Sequence, residues 1–399
     1  MSAAPAGRPE LSGEFQLVAA CCIWPPSDRR NAAVRKAASA TIDWDSFLQI
    51  VRRQRVAGLA HDGLKRADVV IPAAVMNALT IGSSDVARRS LLLASEALRL
   101  QGLFEAAAIP VLFVKGTALA QMAYGNIAIK QAYDIDVLVT PDAVIRAAAI
   151  LDGAGYKRIF PTASVTAERF ASWIEFHKEG VFQHDSHGVI VELHWRLADN
   201  PMVLRGVTAN SPSRSVVVSP GHALRTLGDE DLFAYLCFHG AQHGWSRLKW
   251  LADLAAWLAS KPPAEVERLY RAAKADGVGR APDQALLLCE DLFAAPLPSL
   301  LAAEMRRDRA SRWLVAIALR AMAGGGAAAT EDRALGNLEI FLSHFLLAPG
   351  VWQELRTKSI GGVDFDTIVL PRALFFLYPL LRVPSWLWRR ATHFVAPPR

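Results

Sequence analysis

Asp134 and Asp136, separated by one apolar residue inside the run Asp134-Ile135-Asp136-Val137-Leu138-Val139, are the pair in this chain best placed to do chemistry. Side chains at i and i+2 of a strand point to the same side, so both carboxylates can share a divalent cation while Ile135 and Val137 to Val139 anchor the strand. Upstream, Lys115-Gly116-Thr117 reads as a short loop opening a helix. A phosphate-sized loop beside a two-carboxylate strand is the layout of a metal site for phosphoryl or nucleotidyl transfer. An isolated D-x-D is common at solvated strand edges, so the context carries the argument. Both acids lie in a strongly apolar strand, where a buried charge is costly unless a cation or a hydrogen-bond network compensates it. A third acid, Glu192, stands between Val191 and Leu193 in a second apolar run. Three carboxylates on adjacent strands could hold two Mg²⁺ ions about 4 Å apart and orient a nucleoside triphosphate between them.

The elements that must position these groups are readable from periodicity. From about residue 14 to 108 the pattern is helical, with Leu93, Ala97, Leu100 and Phe104 forming one apolar stripe. Ile109-Pro110 ends it, and Val111 to Val114 is a short β-rich run leading to Lys115-Gly116, with Thr117 expected to cap a helix reaching Tyr124. After the Asp134 strand, Thr140-Pro141-Asp142 starts a helix that should run through Leu151 and stop at Gly153 or Gly155. Val181 to Gln183, the turn Asp185-Ser186-His187-Gly188 and Val189 to Trp195 read as a hairpin. Its second strand places Ile190, Glu192 and His194 on one face and Val189, Val191 and Leu193 on the other. From Asp229 to about Met322 the chain is helical again, Ala323-Gly324-Gly325-Gly326-Ala327 reads as a joint, and Leu370 to Phe394 is rich in aromatics, prolines and arginines.

Four ordered blocks carry a family resemblance: K-G-T-A-L-A-x-x-x-Y from Lys115, D-I-D-V-L-V from Asp134, V-E-L-H-W from Val191, and H-G-A-Q-H-G-W-S-R-L-K-W-L-A-D-L from His239. Over roughly residues 105 to 260 the chain resembles uncharacterised bacterial nucleotidyltransferases of the polymerase-β type. The resemblance implies a minimal nucleotidyltransferase core with Asp134 and Asp136 as the metal-binding pair, Glu192 as third carboxylate, and an NTP as donor. Two positions depart from better-known members of that superfamily. Lys115-Gly116-Thr117 stands where a Gly-Gly/Ser or Gly-Ser pair opens the triphosphate helix, although Gly116 still lets backbone approach phosphate. Lys130 stands near where an arginine tends to precede the D-x-D, keeping the charge without bidentate geometry. Lys115, Gly116, Thr117 and Lys130 are thus the expected donor contacts, and Lys115 could neutralise charge on leaving pyrophosphate or be a solvated loop lysine.

Composition bounds the rest. The chain has 399 residues, long enough for two or three domains, and is 52% hydrophobic without an apolar run of spanning length. Phe15 to Trp24 follows Glu10 and Glu14 rather than a basic segment, so it does not resemble a signal peptide, and a cytoplasmic location is expected. Cys21, Cys22, Cys237 and Cys289 lack C-x-x-C spacing and read as buried thiols. A net charge of +6 without a basic block argues against a dedicated nucleic-acid binder. His239 and His243 sit at i and i+4 but lack the glutamate of H-E-x-x-H and a third ligand, which favours structural roles or the lining of a base or acceptor pocket with Trp245 and Lys249 over zinc. The tail, with Arg382, Trp386, Trp388, Arg389 and Arg390, suits either a weak membrane-surface contact or, preferred because Pro379 and Pro384 interrupt it, a helix docked on the protein.

The expected fold is α+β: a small mixed sheet forming a nucleotidyltransferase core at 109–218, between a helical region at 1–108 and another at 219–322, with a joint and tail at 323–399. The expected activity is Mg²⁺-dependent NMP transfer from an NTP to a hydroxyl or phosphate of a small-molecule, peptide or saccharide acceptor. The alternative is a chain that keeps the fold but serves as a binding or scaffold partner in a peptide- or polysaccharide-modification pathway.

Overall fold

A computed structural model describes residues 9–163, 165–323, 334–347, 350 and 362–391. Four helices open the chain: α1 (Gly13–Cys21), α2 (Asp28–Ala38), α3 (Trp44–Gln54) and α4 (Ala57–Ala67). Side chains of Ser12, Ser27 and Asp43 accept first-turn amide protons and fix the starts of α1, α2 and α3. A long helix, α5 (Ala73–Ala106), follows, and its stripe of Leu93, Ala97, Leu100 and Phe104 is buried as the spacing predicts.

The sheet then forms from β1 (Leu112–Phe113), β2 (Asp134–Leu138), β3 (Tyr156–Phe160), β4 (Glu179–His184) and β5 (Ile190–His194), in spatial order β1-β2-β5-β4-β3. It is mixed: β2 and β5 run parallel, and the other neighbours are antiparallel. Between the strands lie α6 (Thr117–Tyr124), α7 (Val144–Gly153) and α8 (Ala167–Phe176). Gly116, rather than Thr117, occupies the cap position of α6, because the chain turns there through φ 69°, which glycine alone adopts without strain. Ile135, Val137, Val191, Leu193 and Phe182 fill one side of the sheet against the α5 stripe and α7, so that side is dry. The opposite side carries the acids.

A second hairpin, β6 (Ser213–Ser219) with β7 (His222–Leu227), spans the boundary expected at 218/219. Six further helices follow: α9 (Asp229–Gln242), α10 (Leu248–Leu258), α11 (Pro263–Ala275), α12 (Ala281–Phe293), α13 (Ser299–Arg307) and α14 (Arg309–Ala323). Residues from α1–α4 and from α9–α14 share one apolar core, in which Cys21, Leu64 and Val34 join Leu254, Leu286 and Leu314. The helical regions on either side of the sheet therefore close on each other. All four cysteines are buried free thiols.

Of the expected joint at 323–327, Ala323 ends α14 and the remainder lies outside the described residues. The tail is docked. Phe365 and Tyr378 stack at 5.8 Å, Phe375 packs on Phe176, and Asp366 accepts 2.9 Å hydrogen bonds from the Thr162 amide and hydroxyl. Pro384 falls within the last helix, Tyr378–Ala391. No helix of the described residues is long and apolar enough to cross a membrane.

Candidate active site

The polar face of the sheet is built by register. Asp136 on β2 is level with Glu192 on β5, and Leu138 with His194. On the other flank of β5, Val181 of β4 is level with Glu192, and Glu179 with His194. Strand alternation therefore brings Asp134, Asp136, Glu192, His194 and Glu179 to one face. Single ligand atoms of Asp136, Glu192 and His194 lie within 4.8 Å of one another, forming a metal-competent group among the described residues. Asp134, one step back on the same face, is half-buried and is not part of that group.

Four contacts define the centre. Lys115 Nζ lies 2.9 Å from Asp136 Oδ1. His194 Nε2 lies 3.3 Å from Asp136 Oδ1 and 3.5 Å from Glu192 Oε2. His194 Nδ1 lies 3.1 Å from Glu179 Oε2, within ion-pair reach though off the line of a good hydrogen bond. Glu179 also pairs with Lys178. Asp136 Oδ2 is buried without a hydrogen-bond partner among the described residues.

The electrostatics follow from burial and neighbours. Burial alone would raise the Asp136 carboxyl, but Lys115 and His194 hold it well below the usual range. Burial, with Asp136 and Glu179 close by, pushes Glu192 up to about 7. Burial opposes the His194 imidazolium, yet Glu179 and the other acids raise it to about 9. Burial likewise opposes charge on Glu179, and Lys178 and His194 override it, down to about 2. The face is thus a knot of acids held by two lysines and one imidazole. A buried orphan carboxylate oxygen within a converging O, O, N set fits a divalent cation.

Two walls rise over this floor. On one, Gly116 turns the chain into α6, whose first-turn amides have no intrahelical partners and point their dipole at incoming anions. A Cβ at Gly116 would lie 3.9 Å from the Asp134 carbonyl oxygen, so loop and D-x-D strand are neighbours. Lys130, expected at the donor, is instead buried, with Nζ 3.3 Å from Asp253 Oδ2. Lys249 of α10 stands on the same side, its Nζ 5.9 Å from the centre of the Tyr133 ring that Arg55 also covers at 4.6 Å. Burial, with Lys130 beside it, lowers the Lys249 ammonium to about 7.

On the other wall, α9 presents Tyr235, His239 and His243, with Trp250 in edge contact with His239 at 5.4 Å. Burial and the Lys115 charge push His239 well below its ordinary value. Neither His239 nor His243 belongs to the metal-competent group. Trp245 and Trp257 are core residues, and Trp245 Nε1 donates to Gln284 at 3.2 Å.

Lys178 and Glu179 were not singled out from the sequence. The hairpin held the signal: with the turn at 185–188 joining His184 to Val189, pairing inward sets Glu179 opposite His194.

A mixed sheet in which an antiparallel strand leads through a glycine turn into a helix, and the next strand carries D-x-D beside a third acid, defines a nucleotidyltransferase fold. The chain belongs to the uncharacterised nucleotidyltransferase family, whose model matches residues 40–294, more than half of its length. No curated protein matches it.

Proposed function

We propose that this protein transfers a nucleoside monophosphate from an NTP to a hydroxyl or phosphate of a small-molecule, peptide or saccharide acceptor, releasing pyrophosphate. The observation that carries the reading is the shared level of Asp136 and Glu192 on parallel neighbours, beside Asp134 and below the Gly116 turn. In it, Asp134, Asp136 and Glu192 would hold two divalent cations, which when bound would withdraw charge from the phosphate oxygens and orient the donor.

The chain's own groups do the rest. The Gly116 turn and the first-turn amides of α6 bind the triphosphate, with the Thr117 hydroxyl at the helix start. Lys115, already 2.9 Å from Asp136, offsets negative charge as pyrophosphate separates. The acceptor oxygen bonds to the α-phosphorus as the bond from that phosphorus to the α–β bridging oxygen breaks. The electron pair leaves with pyrophosphate, and the hydroxyl proton passes to a Glu192 carboxylate oxygen. Tyr235, His239 and Trp250 form one aromatic cluster, which would face the acceptor.

A second reading draws on Lys115 and Lys130. The Lys115-Gly116-Thr117 loop and the buried Lys130 depart from the donor contacts of better-known nucleotidyltransferases, which supports a fold retained for binding or scaffolding without turnover. One experiment separates the two. Wild type and the Asp134→Asn/Asp136→Asn variant are titrated calorimetrically with each NTP and divalent metal, and pyrophosphate release is followed across an acceptor panel. The transferase reading expects metal-dependent binding of an NTP, lost in the folded variant, with pyrophosphate released. Tight binding without turnover for any acceptor supports the scaffold reading, and the absence of NTP binding with every metal overturns both donor-site assignments.

A further inference from the structure

His194 has no role in a site of carboxylates alone, yet it occupies the middle of this one. Its Nε2 points between Asp136 and Glu192, at 3.3 and 3.5 Å, while Nδ1 faces Glu179 at 3.1 Å. Those Nε2 separations are close to the edge of a tetrahedron around an ion with bonds of about 2.0–2.1 Å, an edge of about 3.3 Å. A carboxylate behind the far ring nitrogen is also the usual support of a metal-binding imidazole, and Glu179 Oε2 stands at that place, 3.1 Å from Nδ1, without the alignment of a hydrogen bond. The site is reachable from solvent: the Glu192 and Glu179 side chains are 23% and 25% exposed, whereas Asp136 and His194 form its floor.

We propose that His194 is a metal ligand, with Asp136 and Glu192 completing an N, O, O set and Glu179 orienting the ring, and that this site selects a first-row transition-metal dication over Mg²⁺. Imidazole is a poor ligand for Mg²⁺, which takes oxygen donors and sheds water reluctantly, and a good one for borderline ions. The Asp136 ligand atom is Oδ1, the oxygen 3.3 Å from Nε2, which Lys115 also contacts, while its buried Oδ2 has no hydrogen-bond partner among the described residues and remains available to an ion. A second ion held by Asp134 would meet oxygen donors alone, which suit Mg²⁺. The inference rests on reading Asp136 and Glu192 as the metal-binding carboxylates.

The test is made without nucleotide, so its outcome is separate from whether the protein transfers NMP. Metal-free full-length protein is titrated with Co²⁺ and its visible absorption recorded, then challenged with a large excess of Mg²⁺. The same is done with His194→Gln and Glu179→Gln, each checked for folding by near-UV circular dichroism. Expected are an intense, low-coordination Co²⁺ band that Mg²⁺ does not erase, its loss in His194→Gln, and a roughly 10–100-fold weaker affinity in Glu179→Gln. Pulsed electron paramagnetic resonance of Mn²⁺-loaded wild type should show coupling to an imidazole nitrogen and needs no variant. An unchanged Co²⁺ band in His194→Gln, displacement by Mg²⁺, or Mn²⁺ bound without nitrogen coupling overturns the proposal. Absence of Co²⁺ binding does so too, while leaving NTP binding with Mg²⁺ free to succeed or fail on its own.

Discussion

Lys130 shows how a single charge acquires its role from a distant partner. Its ammonium is buried 3.3 Å from Asp253 Oδ2, the Tyr124 hydroxyl donates to Asp253 Oδ1 at 2.8 Å, and Ser90 Oγ donates to the Lys130 carbonyl at 2.9 Å. The lysine therefore ties the segment entering β2 to α10, α6 and α5. Removing one member of such a buried pair strands the other, at a cost of about 3–5 kcal/mol. Asp253→Ala should lower unfolding free energy by that order in urea, and Lys130→Met should do likewise while the folded fraction keeps its NTP affinity. A Lys130→Met protein of unchanged stability that has lost NTP binding would return Lys130 to the donor site. The Asp134, Asp136 and Glu192 face was legible because strand alternation is local. The destination of Lys130 was not, because Asp253 lies on a helix far along the chain, and Glu179 was hidden until the hairpin register was counted.

At the scale of elements, the D-x-D strand β2 is positioned from behind by helices that carry none of the site's acids. Gly58 of α4 lies against the loop before β2 so closely that a Cβ there would stand 2.4 Å from the Ile129 carbonyl oxygen. Backbone cannot move aside as a flexible side-chain end can, so Gly58→Ala must displace either α4 or the 125–133 segment. The expected cost is about 1–3 kcal/mol. Because that segment runs directly into Asp134, metal affinity should fall as well, measurable by titration at a temperature where the variant is fully folded. Full stability together with unaltered metal affinity would mean that the loop is not positioned by this contact. The elements near the site read well from sequence: the α5 stripe, β2 and the β4/β5 hairpin all have strong period and turn signals. The strand β3 and the β6/β7 hairpin did not, since Tyr156–Phe160 places charge on a partly covered edge and Ser213–Ser219 is mostly exposed.

For the whole molecule, the decisive fact is that the helices before the sheet and those after it form one core. Gln54, the fully buried last residue of α3, spans the junction: Oε1 accepts from the Leu248 amide at 2.6 Å, and Nε2 donates to the Met322 carbonyl at 2.8 Å. One side chain thus joins α3 to α10, which carries Lys249 and Asp253, and to the end of α14. The family match from 40 to 294 runs through this junction rather than stopping at either side of the sheet. A composition-based division into separate helical regions cannot see it, because the contacts that merge them are long-range. Gln54→Leu preserves bulk but leaves a buried amide and a buried carbonyl unpaired, at about 1–3 kcal/mol each. If the two regions are one cooperative unit, hydrogen exchange should show amides of α3–α4 and α10–α12 opening with the same free energy, and the substitution should lower both equally. Independent exchange of α3–α4, with α10–α12 unaffected by Gln54→Leu, would instead make the N-terminal helices a separate domain resting on the nucleotidyltransferase fold.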